Sequence, residues 1–359
     1  MVTISLCMIV KDEEDVLERC LEAASDIVDE IIIVDTGSMD KTKEIAGKFT
    51  DKIYDFEWID DFSAARNFAF SKATKEYILW LDADDLIFKE DIEKFKELKN
   101  TLDNSVDSVT MLYNLAFDEK GNATFSLRRN RLVKRANNFR WIGFVHECLV
   151  VGGNVINSDI AISHRKLKES TDRNLRIYRK KIEEGVPFTL RDRIYYGNEL
   201  FDNNYQEEAV EIYDELLQMD GVWFEDKINI CGKISDYYYS KGNNKDAKMY
   251  SLQSFLYDKP RAEFCCRLGY FFLEEERYHD AIFWYELATK LERPVNCLGF
   301  INEVCWTWLP YLQLCLCYDR IQNHEKAFEC NEMAASFVPE NKSVLYNREY
   351  FKTLGLERG

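Results

Sequence analysis

Four short segments in the first 85 residues carry side chains able to do chemistry, and each follows a strand-like run or opens a helix. They are Lys11-Asp12-Glu13-Glu14, then Asp35-Thr36-Gly37-Ser38-Met39-Asp40, then Ala65-Arg66-Asn67, and last Asp82-Ala83-Asp84-Asp85. Singly, each has an ordinary explanation: a solvated turn, or for the last an N-cap cluster on the following helix. Four at the same end of one sheet point to a ligand site. Asp82 and Asp84, two apart on a tight loop, can address one divalent cation; Mg²⁺ and Mn²⁺ take carboxylate oxygens and need few protein ligands.

The elements that position them alternate in type. Residues 3–10, 30–34, 52–55 and 76–81 are short apolar runs, the second of them Glu-Ile-Ile-Ile-Val, as buried parallel strands should be. Between them, 13–24, 40–49 and 63–73 have helical spacing, with Val16, Leu17, Cys20 and Leu21 on one face of the first. This order predicts a Rossmann-like α/β domain with a mostly parallel sheet, right-handed crossovers and ligands at the carboxyl ends of its strands. A helix at 89–99 follows, then strand-like runs at 108–117, 124–131, 147–151 and 160–163, with a hairpin-type connection at 118–122. These extend the sheet into a mixed one.

A second chemical cluster is Trp141-Ile142-Gly143-Phe144-Val145-His146-Glu147. Glu147, beside a Trp141 floor, is a candidate base, and His146 is the alternative base. An apolar floor would raise a carboxylate's pKa and make it a better proton acceptor; the plain reading of Glu147 is a salt-bridged strand residue. Arg128, Arg129 and Arg131 precede this cluster and could meet a diphosphate, meet an acceptor, or simply balance charge on a strand face.

After about residue 168 strand signals stop. A spacing recurs instead: a small residue, Ala twelve later, then positions four and three further on. It reads Gly197, Ala209, Tyr213, Leu216; Ser235, Ala247, Ser251, Ser254; Gly269, Ala281, Tyr285, Ala288; and Cys315, Ala327, Asn331, Ala334, the last two copies closed by Pro294 and Pro339. The second copy is the weakest. The array resembles tetratricopeptide repeats, whose stacked helix pairs leave a concave groove; an unrelated helical bundle is the alternative. The reading divides the chain into a domain at 1–167, a helical linker at 168–190 and an all-α repeat domain at 191–359.

Residues 1–85 together resemble the donor-binding half of a family 2 glycosyltransferase with a GT-A fold: the opening strand with its acidic loop, the Val34-to-Thr42 segment, the Ala65-Arg66-Asn67 triplet and the Leu79-to-Asp85 run. The fusion to repeats resembles bacterial peptide S- and O-glycosyltransferases of bacteriocin pathways. The resemblance implies an inverting transfer of a hexose or N-acetylhexosamine from a UDP-sugar to a Ser, Thr or Cys side chain of a peptide or protein held by the repeats. A cell-surface glycan or lipid-linked acceptor, or a scaffold with a relic nucleotide domain, are the other readings. It implies that Asp84 touches Mn²⁺ or Mg²⁺, that Asp82 meets ribose or metal water, with Asp85 as helper, and that Asp35 accepts the uracil N3–H. Asp12, Glu13, Gly37, Ser38, Ala83 and Trp141 would line the donor pocket, with Lys11 either there or solvated. Arg66 would face the diphosphate or hold the Asp82 loop, with Asn67 orienting it. His164, after the strand at 160–163, would be the third metal ligand or else an ordinary domain-junction histidine. His279 and His324 are assigned no chemistry.

Composition bounds the rest. The chain has 359 residues and a formal charge of −17, a poor match to a polyanion, so nucleic acid is not expected as a partner. Its 11 cysteines show no paired metal spacing, which fits a reducing compartment. No run approaches the roughly 20 apolar residues of a membrane span. The expectation is a soluble, cytoplasmic enzyme without integral membrane contact, with a homodimer permitted by exposed repeat faces.

Overall fold

The computed structural model describes residues 1–117, 121, 123–165, 167, 172–294 and 301–357. Most of the expected 118–122 hairpin connection and the opening of the 168–190 linker lie outside them. The chain forms two compact units, Met1–Glu199 and Leu200–Gly359.

The first unit opens with β1 (Ile4–Val10), α1 (Leu17–Ser25), β2 (Glu30–Asp35), α2 (Thr42–Ala46), β3 (Ile53–Asp55), α3 (Phe62–Lys72) and β4 (Tyr77–Trp80). A two-residue β5 (Asp85–Leu86) and α4 (Lys89–Thr101) precede β6 (Ser108–Phe117), β7 (Ala123–Lys134), β8 (Arg140–Ile142), β9 (Cys148–Val150) and β10 (Val155–His164). Eight strands make one sheet in the order β3-β2-β1-β4-β7-β6-β10-β5, and β8 and β9 make a separate hairpin. β3, β2, β1 and β4 are parallel; β7 is antiparallel to both β4 and β6. The sheet is thus mixed, as the sequence reading expects.

Its strands are apolar on both sides because both faces are covered. Leu6, Met8 and Val10 of β1 join one core with Leu17, Cys20, Leu21 and Ala24 of α1, whose spacing puts them on one stripe. Cys7 faces the opposite core with Ile32, Val34 and Ile78. Each such side chain contributes roughly 1.5–3 kcal/mol by leaving water, which fixes the register and sets Val10 beside Asp35.

The pairing of β6 with β7 steps from Val109–Leu132 to Thr110–Asn130, leaving Arg131 as one extra residue on β7. Such a bulge re-aims a side chain. The strand is longer than the expected 124–131, and β10 longer than 160–163. Glu147, expected on a strand, lies one residue before β9.

The first unit also contains α5 (Arg173–Glu183) and most of α6 (Leu190–Asp202), segments that the sequence reading gives to the linker and the repeats. The second unit is helical: α7 (Gln206–Gln218), α8 (Phe224–Ser240), α9 (Asn244–Gln253), α10 (Ala262–Glu274), α11 (Tyr278–Lys290), α12 (Leu309–Arg320), α13 (His324–Phe337) and α14 (Lys342–Thr353). The hairpins α8–α9, α10–α11 and α12–α13 each turn through one left-handed residue, Gly242, Glu276 or Gln322. Every small-residue position of the recurring spacing is buried. No described helix is long and apolar enough to cross a membrane.

Candidate active site

The loops after β1 and β2 brace each other. Asp12, left-handed at φ 54, donates its N–H to Ser38 Oγ (2.9 Å) and accepts from Met39 N at Oδ1 (2.7 Å). Glu13 N donates to Thr42 Oγ1 at 2.7 Å. Gly37 takes φ 104, which a side chain disfavours, and lets Asp35 Oδ1 accept from the N–H groups of Gly37 and Ser38 at 2.9 and 3.0 Å. Asp35 Oδ2 is buried and, among the described residues, has no hydrogen-bond partner. Lys11 is exposed.

On α3, capped by Asp61, Arg66 is a fork between two loops. Its Nε donates to Glu147 Oε1 at 2.5 Å and its Nη2 to Asp82 Oδ1 at 2.7 Å. Burial would raise the Asp82 carboxyl, but the guanidinium groups of Arg66 and Arg131 hold it far below the usual carboxylate range. Asn67 clasps the Trp141 backbone, Nδ2 to the carbonyl at 2.9 Å and Oδ1 from the N–H at 3.0 Å. Arg66 lies 4.8 Å from the Trp141 ring and 5.0 Å from that of Trp80. Glu147 therefore meets a cation, and it is that cation that lies against the two indoles.

Arg131 aims inward from the bulge of β7. It is fully buried, 3.8 Å over Trp80 and 4.3 Å over Tyr113, and its Nη1 donates to Asp85 Oδ2 at 2.9 Å. The same Oδ2 accepts from Asp82 N at 2.9 Å. Asp85 Oδ1 is left buried without a hydrogen-bond partner among the described residues. β5 pairs with β10 so that Asp85 faces His164. His164 Nδ1 lies 3.3 Å from Asp84 Oδ1, 3.8 Å from Asp85 Oδ1 and 2.9 Å from Tyr113 Oη. The neighbouring carboxylates of Asp84 and then Asp85 push the imidazole pKa up to about 9.

One donor atom each from Asp84, Asp85 and His164 fall within 4.8 Å of one another. Two hard oxygens, one of them orphaned, with an imidazole form a donor set that fits a divalent ion, and Mn²⁺ tolerates the nitrogen better than Mg²⁺. The third member with Asp84 and His164 is Asp85; Asp82 has its carboxylate on Arg66.

Residues 5–162 match the family model described as Glycosyl transferase family 2, and 262–294 match a Tetratricopeptide repeat model. The first unit carries a glycosyl transferase family 2 domain. The chain resembles the SPbeta prophage-derived glycosyltransferase SunS of Bacillus subtilis at 29% identity, over 58% of this chain and 52% of that protein. A TPR repeat-containing protein of Synechococcus elongatus is 48% identical over 29% of this chain and 25% of its own length. The chain thus spans between a quarter and about half the length of these relatives. S. aureus TarS 1–349 in complex with UDP-GlcNAc aligns over 95% of this chain and 93% of that one, at 13% identity and a TM-score of 0.37, which adds nothing to the fold described above.

Around this glycosyltransferase domain the remaining candidates separate by strand alternation. Arg128 donates to Ser158 O at 2.8 Å and braces β10, while Arg129 lies 5.3 Å from Tyr113 on the other side. His146 is left-handed at φ 50, and its Nε2 lies 2.6 Å from Glu199 Oε1. Arg173 feels the charges of Glu13, Glu147 and Glu199, and burial lowers its pKa. Sequence reading left the role of Arg131 open within the Arg128, Arg129 and Arg131 cluster, and it missed Arg173 and Glu199 as members of this neighbourhood: the bulge and the return of α5 and α6 to the first unit leave no local signal.

Proposed function

We propose that the chain is an inverting glycosyltransferase that takes a hexose or N-acetylhexosamine from a UDP-sugar. The observation that carries the reading is the Asp84, Asp85 and His164 trio with its orphaned Asp85 oxygen, at the rim of a sheet whose other loop buries an unpartnered Asp35 oxygen. A base edge with an N–H satisfies Asp35 Oδ2 and one with an acceptor does not, which favours uracil over a base such as cytosine that presents an acceptor there. A divalent ion held by the trio supplies charge stabilisation to a diphosphate leaving group.

The chain's own residues then divide the work. Asp12, Gly37 and Ser38 set the pocket around Asp35, and Ala83 lets the Asp82–Asp85 loop turn tightly. Arg66, bridging Asp82 and Glu147, fixes the distance between donor loop and base. Glu147 accepts the acceptor's proton as its oxygen or sulfur attacks the anomeric carbon, and the bond from that carbon to the phosphate oxygen breaks. The helical repeats joined to the transferase domain support a peptide or protein acceptor, since stacked helix pairs are a surface suited to one. Arginine clustering around the donor loop is not a nucleic-acid surface, since each of these cations already has its carboxylate or ring.

The test is UDP release from UDP-glucose and UDP-N-acetylglucosamine with Mn²⁺. EDTA is expected to abolish it, and Asp84→Ala to lower it at least a hundredfold. Turnover that survives EDTA, or an Asp84→Ala variant as fast as the parent, overturns the reading.

A further inference from the structure

Three residues of α6 spaced four apart, Arg191, Tyr195 and Glu199, stand on one stripe of the helix, and all three meet His146. The Glu199 carboxylate takes Nε2 at 2.6 Å. The Tyr195 ring stacks on the imidazole, centroids 4.4 Å apart and planes 18° from parallel. Arg191 Nη2 donates to the His146 carbonyl at 3.1 Å and its guanidinium covers Tyr195 at 4.7 Å. Asn174 of α5 donates to the same Glu199 oxygen at 3.0 Å.

His146 needs such a clamp. A side chain at φ 50 is disfavoured, and a conformation of this kind persists only where the surroundings over-determine it. The loop's other end is fixed from α3, where Phe62 N donates to Phe144 O at 2.9 Å, and Phe144 packs on Tyr178 and Phe188. The next residue after the left-handed turn is Glu147, whose carboxylate reaches Arg66. Backbone rotation at 146 therefore swings Glu147 directly.

We propose that Arg191, Tyr195 and Glu199 are positioning residues that hold His146 left-handed and so fix where Glu147 presents its carboxylate. The first helical pair after the sheet is thereby part of the catalytic unit's machinery. The inference rests on the proposed transfer for its kinetic consequence, but the clamp itself is readable without turnover.

The experiment combines Glu199→Ala, Glu199→Gln, His146→Gly and the double variant His146→Gly with Glu199→Ala. Glycine adopts positive φ without a side-chain penalty, so it removes the need for the clamp. With UDP-N-acetylglucosamine, Mn²⁺ and water as acceptor, Glu199→Ala is expected to lower kcat about tenfold at an unchanged KM, as a misplaced base does. Glu199→Gln, which keeps an acceptor for Nε2–H, recovers most of it. Added to His146→Gly, Glu199→Ala should cost less than about twofold, because coupled residues are not additive. Equal losses in both backgrounds, or a rise in KM alone, overturn the proposal. Hydrogen exchange at amides 143–148 is expected to quicken about tenfold in Glu199→Ala and to be insensitive to it in the glycine background. Unchanged exchange overturns the clamp even if the protein transfers nothing, whereas an exchange effect in a protein that releases no UDP leaves the clamp standing and removes the transfer reading. Should Glu199→Ala fail to fold, Tyr195→Leu keeps the helix, loses the stack, and is expected to show the same kcat and exchange pattern.

Discussion

At the residue scale, the donor loop is organised by two arginines that share one indole. Arg66 holds Asp82 and Glu147, Arg131 holds Asp85, and Trp80 lies within 5.0 Å of the first and 3.8 Å of the second. Arg131 and Asp85 are both wholly buried, so removing the cation leaves a buried carboxylate without its counter-charge. Arg131→Met is expected to destabilise the first unit by about 3–5 kcal/mol, measured as a lower urea midpoint at unchanged slope. Adding Asp85→Asn should recover part of that loss; no recovery would mean that packing against Trp80 and Tyr113, not charge, is what Arg131 supplies. The carboxylates themselves were readable because Asp82, Asp84 and Asp85 are neighbours in the chain. Their division of labour was not, since it depends on Arg131 entering from a bulge set by pairing with β6, and on His164 meeting Asp85 across β5 and β10.

At the element scale, the small residues of the repeats act as predicted, and the one copy that looks degenerate keeps its packing by a different chemistry. Ser235 Oγ sits 2.8 Å from Ala247 O and 2.9 Å from Ser251 Oγ, so two hydroxyls satisfy each other where the first and third copies pair a glycine with a tyrosine. Asn331 does the same in the last copy, donating to Val344 O at 3.3 Å and accepting from Asn347 at 3.0 Å. The third copy is closely packed: a Cβ on Gly269 would lie 2.8 Å from the ring of Tyr285. Gly269→Ala gains in helix propensity but must push a fully packed ring aside. It is expected to cost about 1–3 kcal/mol, read from the second unit's melting transition; a neutral or stabilised variant would show that α10 and α11 can separate freely. The α6 stripe was invisible at this scale because its spacing is equally that of a repeat helix, and only its partners on the 143–147 loop distinguish it.

At the scale of the whole molecule, the sequence located both cores but not where one unit ends, because α5 and α6 carry the helical periodicity of the second unit while belonging to the first. What ties the first unit together across distant segments is Glu30. It lies at the start of β2, opposite Ser5 of β1, and its carboxylate takes Ser5 Oγ, Lys52 Nζ, and the N–H and hydroxyl of Thr74 at 2.9 and 2.8 Å. Burial alone would raise its pKa; these donors outweigh it and hold the group at about 2, against an ordinary 4.5. A depressed carboxylate contributes stability that is fully present above pH 4.5 and is lost as pH falls from 4.5 toward 2, a difference of about 3 kcal/mol. Glu30→Gln is therefore expected to be less stable than the parent by about that amount at pH 7. The gap should narrow between pH 4.5 and 2, followed by urea unfolding of the first unit across that range. A gap that stays constant as pH falls would mean that the amide's lost packing, not the ionised carboxylate, accounts for it, and that the three segments are held by their apolar faces alone.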